Sequence, residues 1–583
     1  MMRKRATIGF LFLGLAVWGI YRWRRRLLGR LLRITPGQYA VAFERDVSIF
    51  MRDGVTLLAD HFAPKDAGDF PTLLVRTPYG RPSELGVFGL GQRFLYSLFA
   101  EQGYHVIVQS TRGRFKSEGH FEPFAHEAAD GHDTLVWISK QPWFNGTLGL
   151  WGLSYLGYVQ WAVVQDAPPY LKALMPILTS SRFSRLFHPE GTFTLDGALR
   201  WAYLVDAIGG GTKRLDSAAL WRLLPARRES AAQRGLAHLP INEADLVAID
   251  NPVHFYRDWL THSDLTSPYW QRIDHHKAVP KTDIPIHLVA GWYDIFLQEQ
   301  LSDYFALLAA GRTPYLTIGP QYHLDFSVVW DSFREGLAWF AVYLKGEHDR
   351  LRKRPVRIYV MGADEWHEMD YWPPPAQTRR YYLHTRGQLY TDSPAEVSPV
   401  DRYRYAPSDP TPMIGGALLN PTGGPRDQRA LEARSDVLIY TTPPLESDLD
   451  VIGPVRLELY VCSSLPYTDF VGRLCDVYPD GRSINICDGI CRISPGSGEK
   501  QADGSLRIDI DMWSTAQRFR RGHRIRLQVA SGAHPRWVRN LGLGEPIGDG
   551  MQMTVADQAI YHDKMHPSAL VLPIVTANHR GVA

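Results

Sequence analysis

A serine stands where a short apolar run meets a turn flanked by glycines. The run Leu148–Trp151 has the length and character of a buried strand, and the segment Gly152-Leu153-Ser154-Tyr155-Leu156-Gly157 follows it. Glycines on both sides allow a sharp turn that lifts the Ser154 hydroxyl above the strand end, as in a nucleophile elbow. The last glycine comes one residue later than the G-x-S-x-G pattern requires. A plain helix cap, in which the serine accepts backbone N–H bonds, is the alternative interpretation.

Two further side chains follow later strand-like runs. Asp294 comes shortly after Ile284–Ala290, and His323 comes shortly after Tyr315–Ile318. The order serine, acid, histidine is that of α/β-hydrolases, and parallel sheets bind ligands at the carboxyl ends of their strands. We therefore predict that Ser154 is the nucleophile of an acyl transfer. His323 would take its proton, and Asp294 would orient the imidazole.

The elements that must position these residues alternate between short apolar runs and helical patterns. Runs of this kind suit strands that are buried on both faces, and the alternation predicts a doubly wound parallel sheet. The predicted strands are Thr72–Val75, Tyr104–Val108, Leu148–Trp151, Leu171–Met175, Ile284–Ala290 and Tyr315–Ile318. An antiparallel hairpin, turning at Asp53-Gly54, is expected ahead of them.

Two intervals depart from this alternation. Residues 182–281 contain helical patterns and no comparable strand, which predicts a helical cap inserted into an α/β domain of residues 40–370. After the stiff segment Trp372-Pro373-Pro374-Pro375, strand-sized runs with Gly, Pro and Asp turns continue to the end. Residues 376–583 are therefore predicted to form an all-β domain, a two-sheet sandwich.

Composition limits the function classes. The net charge of +3 is misleading because residues 1–33 contain nine Lys or Arg and no acid, which leaves the remainder mildly acidic and argues against nucleic-acid binding. Cys462, Cys475, Cys487 and Cys491 match no common zinc pattern. Free thiols in a β core are favoured, although a bridge between neighbouring strands stays open. The chain has no P-loop or dinucleotide fingerprint, so neither a metal nor a cofactor is expected.

The N-terminal segment predicts a membrane tether. Ala6–Ile20 carries no charge and lies between basic clusters, so residues 1–35 are interpreted as an anchor with a basic juxtamembrane segment. A buried core helix is the alternative. The six arginines after the run favour a catalytic body on the cytoplasmic face, and an exported or periplasmic body stays open.

Further motifs resemble those of the CocE/NonD hydrolases, the family of cocaine esterase, α-amino acid ester hydrolases and Xaa-Pro dipeptidyl-peptidases. The resemblance covers roughly Val41 to the C-terminus. The matching stretches are Arg76-Thr77-Pro78-Tyr79-Gly80, Arg112-Gly113-Arg114, Ser117-Glu118-Gly119, Glu127–Trp137, Gly152–Gly157, Gly291-Trp292-Tyr293-Asp294, Gly319-Pro320 with His323, and Val477–Ser483.

The resemblance implies an α/β-hydrolase core with an inserted helical cap, followed by a C-terminal jelly-roll domain. It also implies an oxyanion hole formed by the Tyr79 hydroxyl and the Tyr155 backbone amide. The family carries the second glycine of the elbow at the place of Gly157. Two departures, Ser110 for aspartate and Gln321 for tryptophan, bear on local packing and pocket shape.

These features predict a serine hydrolase that cleaves a small-molecule ester or amide through an acyl-enzyme. Amino acid ester hydrolases of the family carry acids where this chain has Phe296 and Leu297, which argues against a preference for a free α-amino group. Xaa-Pro dipeptidyl-peptidase or acylase activity stays open. The alternative from another class is a catalytically silent α/β-hydrolase that acts as a binding protein.

Overall fold

The computed structural model describes residues 25–26, 29–209 and 216–576. Its first sheet has ten strands in the order β1-β2-β4-β3-β5-β6-β7-β8-β9-β10. From β4 across to β9 the neighbours are parallel, and antiparallel pairs close both edges. The strands are β1 Val41–Phe50, β2 Thr56–Pro64, β3 Thr72–Thr77, β4 His105–Ser110, β5 Leu148–Leu153, β6 Leu171–Ile177, β7 His287–Tyr293, β8 Tyr315–Tyr322, β9 Val356–Val360 and β10 Glu365–Met369.

Burial of both faces explains why these strands read as continuous apolar runs. Every residue of β3, β4 and β7 is buried, because helices cover the sheet on both sides. The principal helices of this layer are Leu90–Glu101, Glu127–Ser139, Tyr155–Trp161, Leu297–Ala309 and Ser327–Lys345. The predicted hairpin is present, with Gly54 at a φ of +87° in the turn between β1 and β2.

The interval between β6 and β7 is helical, as predicted for the cap. No strand occurs among its described residues, which exclude 210–215. Two of the helices begin with proline, Pro225 and Pro268, a residue that is favoured at the first position of a helix. Asp216 accepts a hydrogen bond of 2.8 Å from the Ala219 amide. The cap helices are Ser184–Phe187, Leu195–Gly209, Ser217–Arg222, Pro225–Ala237, Ala244–Ile249, His254–Thr261 and Pro268–Ile273.

The C-terminal region is a β sandwich, in agreement with the predicted jelly roll. Gly472 of β16 faces Leu457 of β15 and Met512 of β19 across the core, although β16 pairs with β17 and β20. The strands are β11 Gln377–His384, β12 Gln388–Tyr390, β13 Asp401–Tyr405, β14 Leu438–Thr441, β15 Leu449–Ser463, β16 Thr468–Val477, β17 Ser483–Ile493, β18 Glu499–Lys500, β19 Leu506–Phe519, β20 Arg524–Ala530, β21 Ala556–Tyr561 and β22 Ala569–Val575. A short helix, Arg429–Glu432, precedes β14.

The segment between the two sheets is partly buried, through Trp372 and Pro374. Trp372 is buried, and its ring centroid lies 5.3 Å from that of Trp292, the next-to-last residue of β7. The four cysteines of the sandwich are all free thiols, and Cys462 is exposed rather than buried.

The predicted membrane tether requires correction. Within residues 25–26, 29–209 and 216–576, no helix is both long and apolar enough to cross a membrane. The predictions of a membrane partner and of a membrane-bound location are therefore wrong for the described residues. The prediction of a cytoplasmic face depended on them and is withdrawn as well. The run Ala6–Ile20 lies outside the described residues.

Candidate active site

Three strand ends bring the predicted residues together. Ser154 follows β5, Asp294 follows β7, and His323 follows β8. These strands lie in one parallel block, in the order β5-β6-β7-β8. Their carboxyl ends therefore point to the same edge of the sheet, where doubly wound folds bind ligands.

Ser154 occupies a strained turn between β5 and the helix Tyr155–Trp161. Its φ of 60° and ψ of −121° lie outside the regions that a serine ordinarily adopts. A side chain at Gly152 would lie 2.5 Å from the Leu156 carbonyl oxygen, and one at Gly157 would lie 2.4 Å from Thr179 Cγ2. Glycine is thus required at both places. The Ser154 side chain makes no capping hydrogen bond, so the helix-cap interpretation is wrong.

A chain of hydrogen bonds joins the serine, the histidine and the aspartate. Ser154 Oγ lies 3.0 Å from His323 Nε2, and His323 Nδ1 lies 2.6 Å from Asp294 Oδ2. The other carboxylate oxygen, Asp294 Oδ1, accepts a 2.8 Å hydrogen bond from the Phe296 amide. Asp294 is completely buried, so both of its oxygens are held in place and one of them faces the imidazole.

Tyr79 faces the serine from the turn after β3. Its hydroxyl accepts a 2.8 Å hydrogen bond from the indole Nε1 of Trp201 and interacts with the Ser154 side chain. Burial raises the pKa of the Tyr79 hydroxyl to about 12, against the opposing effect of these two hydrogen bonds. The phenol therefore keeps its proton at neutral pH and is able to donate it in a hydrogen bond.

The backbone amide of Tyr155 is the second predicted donor to the oxyanion, and it directly follows Ser154 in the chain. Tyr155 is the first residue of its helix, and the first amides of a helix have no partner within it. The Tyr155 side chain is directed elsewhere, since its hydroxyl donates to Glu127 Oε1 at 2.8 Å and accepts from the Phe124 amide at 2.9 Å. Glu127 in turn pairs with Arg76 at 2.9 Å. This buried network fixes the start of the helix.

Two residues beside Tyr79 were not predicted to have a role. Trp201 belongs to the cap helix Leu195–Gly209 and carries no local signal of its contact. Arg114 is buried, and it donates from Nε to the Pro78 carbonyl oxygen at 2.8 Å and from Nη2 to that of Val205 at 3.1 Å. Burial lowers the pKa of Arg114 to about 10. The R-G-R motif drew attention to this arginine, but not to its contact with the turn before Tyr79.

A cavity of about 870 Å³ opens onto the serine between the core and the cap. Most of its lining is apolar, and the ring centroid of Phe296 lies 5.5 Å from that of His323.

Where the family pattern has aspartate, Ser110 donates a 2.6 Å hydrogen bond to Glu84 Oε2. Where it has tryptophan, the Gln321 amide contacts Ser327 and Asp331. Both departures are thus accommodated by local polar contacts.

Comparison with known proteins identifies relatives along almost the whole chain. Residues 53–325 match the family described as X-Pro dipeptidyl-peptidase (S15 family), and residues 351–571 match the X-Pro dipeptidyl-peptidase C-terminal non-catalytic domain. The cocaine esterase of Rhodococcus sp. (strain MB1 Bresler) is 34% identical over 590 residues, which cover 93% of this chain and 100% of that protein.

Solved structures show the same fold. An aminopeptidase from a marine sediment Thaumarchaeota archaeon superimposes with a TM-score of 0.76 and 23% identity, covering 92% of this chain and 97% of the other. An α-amino acid ester hydrolase gives a TM-score of 0.74 and 22% identity with the same coverage. At these identities the likeness concerns the architecture of core, cap and sandwich.

Proposed function

The chain belongs to the S15 family of serine hydrolases, which includes the CocE/NonD enzymes, and from that premise we propose that it cleaves carboxylic esters through an acyl-enzyme on Ser154. The observation that carries this proposal is the hydrogen-bonded chain from Ser154 Oγ through His323 to Asp294, with separations of 3.0 Å and 2.6 Å. Enzymes with this arrangement use serine as the nucleophile and histidine as the general base.

In the acylation step Ser154 Oγ attacks the ester carbonyl carbon while His323 Nε2 takes the hydroxyl proton. The carbonyl oxygen becomes an alkoxide, which the Tyr79 hydroxyl and the Tyr155 amide stabilise as hydrogen-bond donors. Asp294 stabilises the imidazolium through Nδ1–H. When the tetrahedral intermediate collapses, the C–O bond to the alcohol breaks and His323 returns the proton to the leaving oxygen.

Water completes the cycle by the same route. It attacks the acyl carbon, His323 takes one of its protons, and the bond to Ser154 Oγ breaks as the proton is passed to that oxygen. The products are the free acid, the alcohol and the regenerated hydroxyl. The water proton that reaches Ser154 Oγ replaces the one that left with the alcohol, so the protons balance.

The cavity favours an uncharged acyl group over one with a free amine. No Asp or Glu is among the described residues that line it, and a buried ammonium would cost several kcal/mol of solvation without a carboxylate partner. Phe296 stands beside the imidazole instead. Ester cleavage is thus favoured over dipeptidyl-peptidase activity, for which the substrate's N-terminal amine would have to be bound.

The test is labelling of the full-length protein with a fluorophosphonate, together with hydrolysis of p-nitrophenyl butyrate and of an aminoacyl-proline anilide. We expect labelling and butyrate cleavage in the wild type and in Ser230→Ala, which alters an exposed serine of the cap. Ser154→Ala should lose both. Labelling that persists in Ser154→Ala would overturn the assignment of the nucleophile, and anilide cleavage above ester cleavage would overturn the choice of substrate.

A further inference from the structure

The active-site cavity extends beyond the cap into a cleft of the core domain. One wall of this cleft comes from the segment that leads into the helix Leu90–Glu101, and the other comes from the start of the helix Ser327–Lys345. Phe94 and Trp330 connect the two helices, with ring centroids 6.4 Å apart. We call this space between the two helices the core cleft. The core cleft is continuous with the space above Ser154, since Ser154 and the residues of both walls line one cavity.

The core cleft is mostly apolar and has no charged side chain, although Gln92 is part of its lining. Its floor contains Leu95, Tyr96 and Trp151, which are buried. The charged side chains that line the whole cavity, among the described residues, are Arg200 and Arg228, and both belong to cap helices. Among the described residues, the core cleft therefore has no ionic group that would hold a charged part of a substrate.

The far end of the core cleft is open to solvent and framed by aromatic rings. Phe88 and Phe326 both line the cavity, yet they are 60% and 65% exposed. Val87 and Leu90, which are 72% and 59% exposed, extend the same apolar rim. Exposed apolar clusters of this kind at the mouth of a pocket mark a binding surface. An open end suits a ligand of variable length, whereas a compact ring would be enclosed on all sides.

We propose that the core cleft binds an unbranched alkyl chain of the ester substrate, so that the preferred substrates are esters with a medium or long aliphatic chain. This inference rests on the proposed function, because it places one end of the chain at the carbonyl carbon that Ser154 attacks. An alkyl chain on the acyl side and one on the alcohol side share this chemistry, and two substrate series distinguish them.

The experiment measures kcat/KM for the full-length enzyme on p-nitrophenyl acetate, butyrate, octanoate and decanoate, and on acetate esters of ethanol, butanol and octanol. Each buried methylene should raise kcat/KM by roughly fourfold at most. A rise in either series supports the inference and identifies which side carries the chain. A flat or falling dependence in both series overturns it.

Variants locate the chain. Gly91 lines the cavity, and a Cβ atom built on it meets no atom within 4 Å, so Gly91→Leu should narrow the core cleft with open space at its point of attachment. Three single variants, Gly91→Leu, Phe88→Ser and Phe326→Ser, test this position. Each should lower the ratio of kcat/KM on long-chain esters to kcat/KM on acetate esters by about tenfold. The matched control is Phe50→Ser, which removes a ring that is 68% exposed on β1 and lies outside the cavity.

The outcomes separate this inference from the proposed function. An enzyme that cleaves acetate esters through Ser154, but whose chain-length ratios are the same in Gly91→Leu and in the wild type, overturns the core cleft alone. An enzyme that fails to cleave any ester or to react with a fluorophosphonate overturns the proposed function itself.

Discussion

The indole Nε1 of Trp201 lies 2.8 Å from the hydroxyl oxygen of Tyr79 and donates its hydrogen to it. Because the tyrosine oxygen is the acceptor here, its own proton is free to be donated to the space in front of Ser154. The donor comes from the cap and the acceptor from the core. The cap therefore takes part in orienting the proposed oxyanion hole, in addition to covering the cavity.

Trp201→Phe should lower kcat by roughly two- to tenfold and leave KM nearly unchanged. The substitution keeps an aromatic ring in the cavity but removes a hydrogen bond, whose loss typically costs about 0.5–1.5 kcal/mol. Steady-state kinetics on p-nitrophenyl butyrate would measure the effect. The double variant Trp201→Phe/Tyr79→Phe should be no slower than Tyr79→Phe alone, since Trp201 acts through the hydroxyl. Additive losses would mean that Trp201 contacts the substrate independently.

Tyr79→Phe should lower kcat by roughly 10²–10³-fold, the usual cost of losing one oxyanion donor. KM should change little because the phenol donates chiefly to the alkoxide of the transition state. The comparison of kcat with KM on one ester provides the test. A rise in KM at constant kcat would instead identify Tyr79 as a residue of the substrate pocket.

Asp294→Asn should lower kcat by about 10⁴-fold while the protein stays folded. Because the Phe296 amide would hold the side-chain oxygen, the asparagine NH2 group would face His323 Nδ1 and donate to it, so the imidazole would be held in the wrong tautomer. The test is to measure kcat at several pH values, together with thermal unfolding of the same variant. Asp166→Asn, at an exposed position, is the control. Activity within tenfold of the wild type at neutral pH would argue against the role of Asp294.

Asp303 should make the stability of the protein fall with rising pH. It is buried on the helix Leu297–Ala309, and burial raises the pKa of its carboxyl to about 8, although hydrogen bonds from the Ser181 amide at 2.9 Å and the Ser181 hydroxyl at 2.5 Å lower it. The folded-state pKa exceeds the unfolded value, so this contribution is complete below about pH 4 and is lost as the pH rises through about 8.

The corresponding measurement is the melting temperature between about pH 5 and pH 9. Asp303→Asn removes the titrating group, so the decline of Tm across this window should be smaller than in the wild type. The neighbouring carboxyl of Glu299, whose pKa burial raises to about 7, should leave part of the decline in place. An unchanged slope in Asp303→Asn would show that Asp303 does not titrate in this range.

The sequence alone was sufficient to predict the chemistry-bearing residues after strand ends. Strand runs that are buried on both faces are recognisable because most residues in them are apolar, and the order of Ser154, Asp294 and His323 along the chain follows from the order of those runs. The glycines around Ser154 have a local cause as well, because the turn requires close approach of the backbone. In the same way, local composition predicted the cap and the sandwich.

Local pattern was misleading at the N-terminus, where an uncharged run between basic clusters predicted a tether. Local pattern also could not predict contacts between residues that are distant in the sequence. Trp201 and Tyr79 are 122 positions apart, and Arg114 and Val205 are 91 apart. Periodicity reports only which face of an element is buried, whereas these contacts depend on how the cap helix lies over the turn after β3. The core cleft likewise exists only because Phe88 and Phe326, from distant segments, frame one opening. Tertiary packing decided these positions, because it alone brings side chains from separate elements to one point.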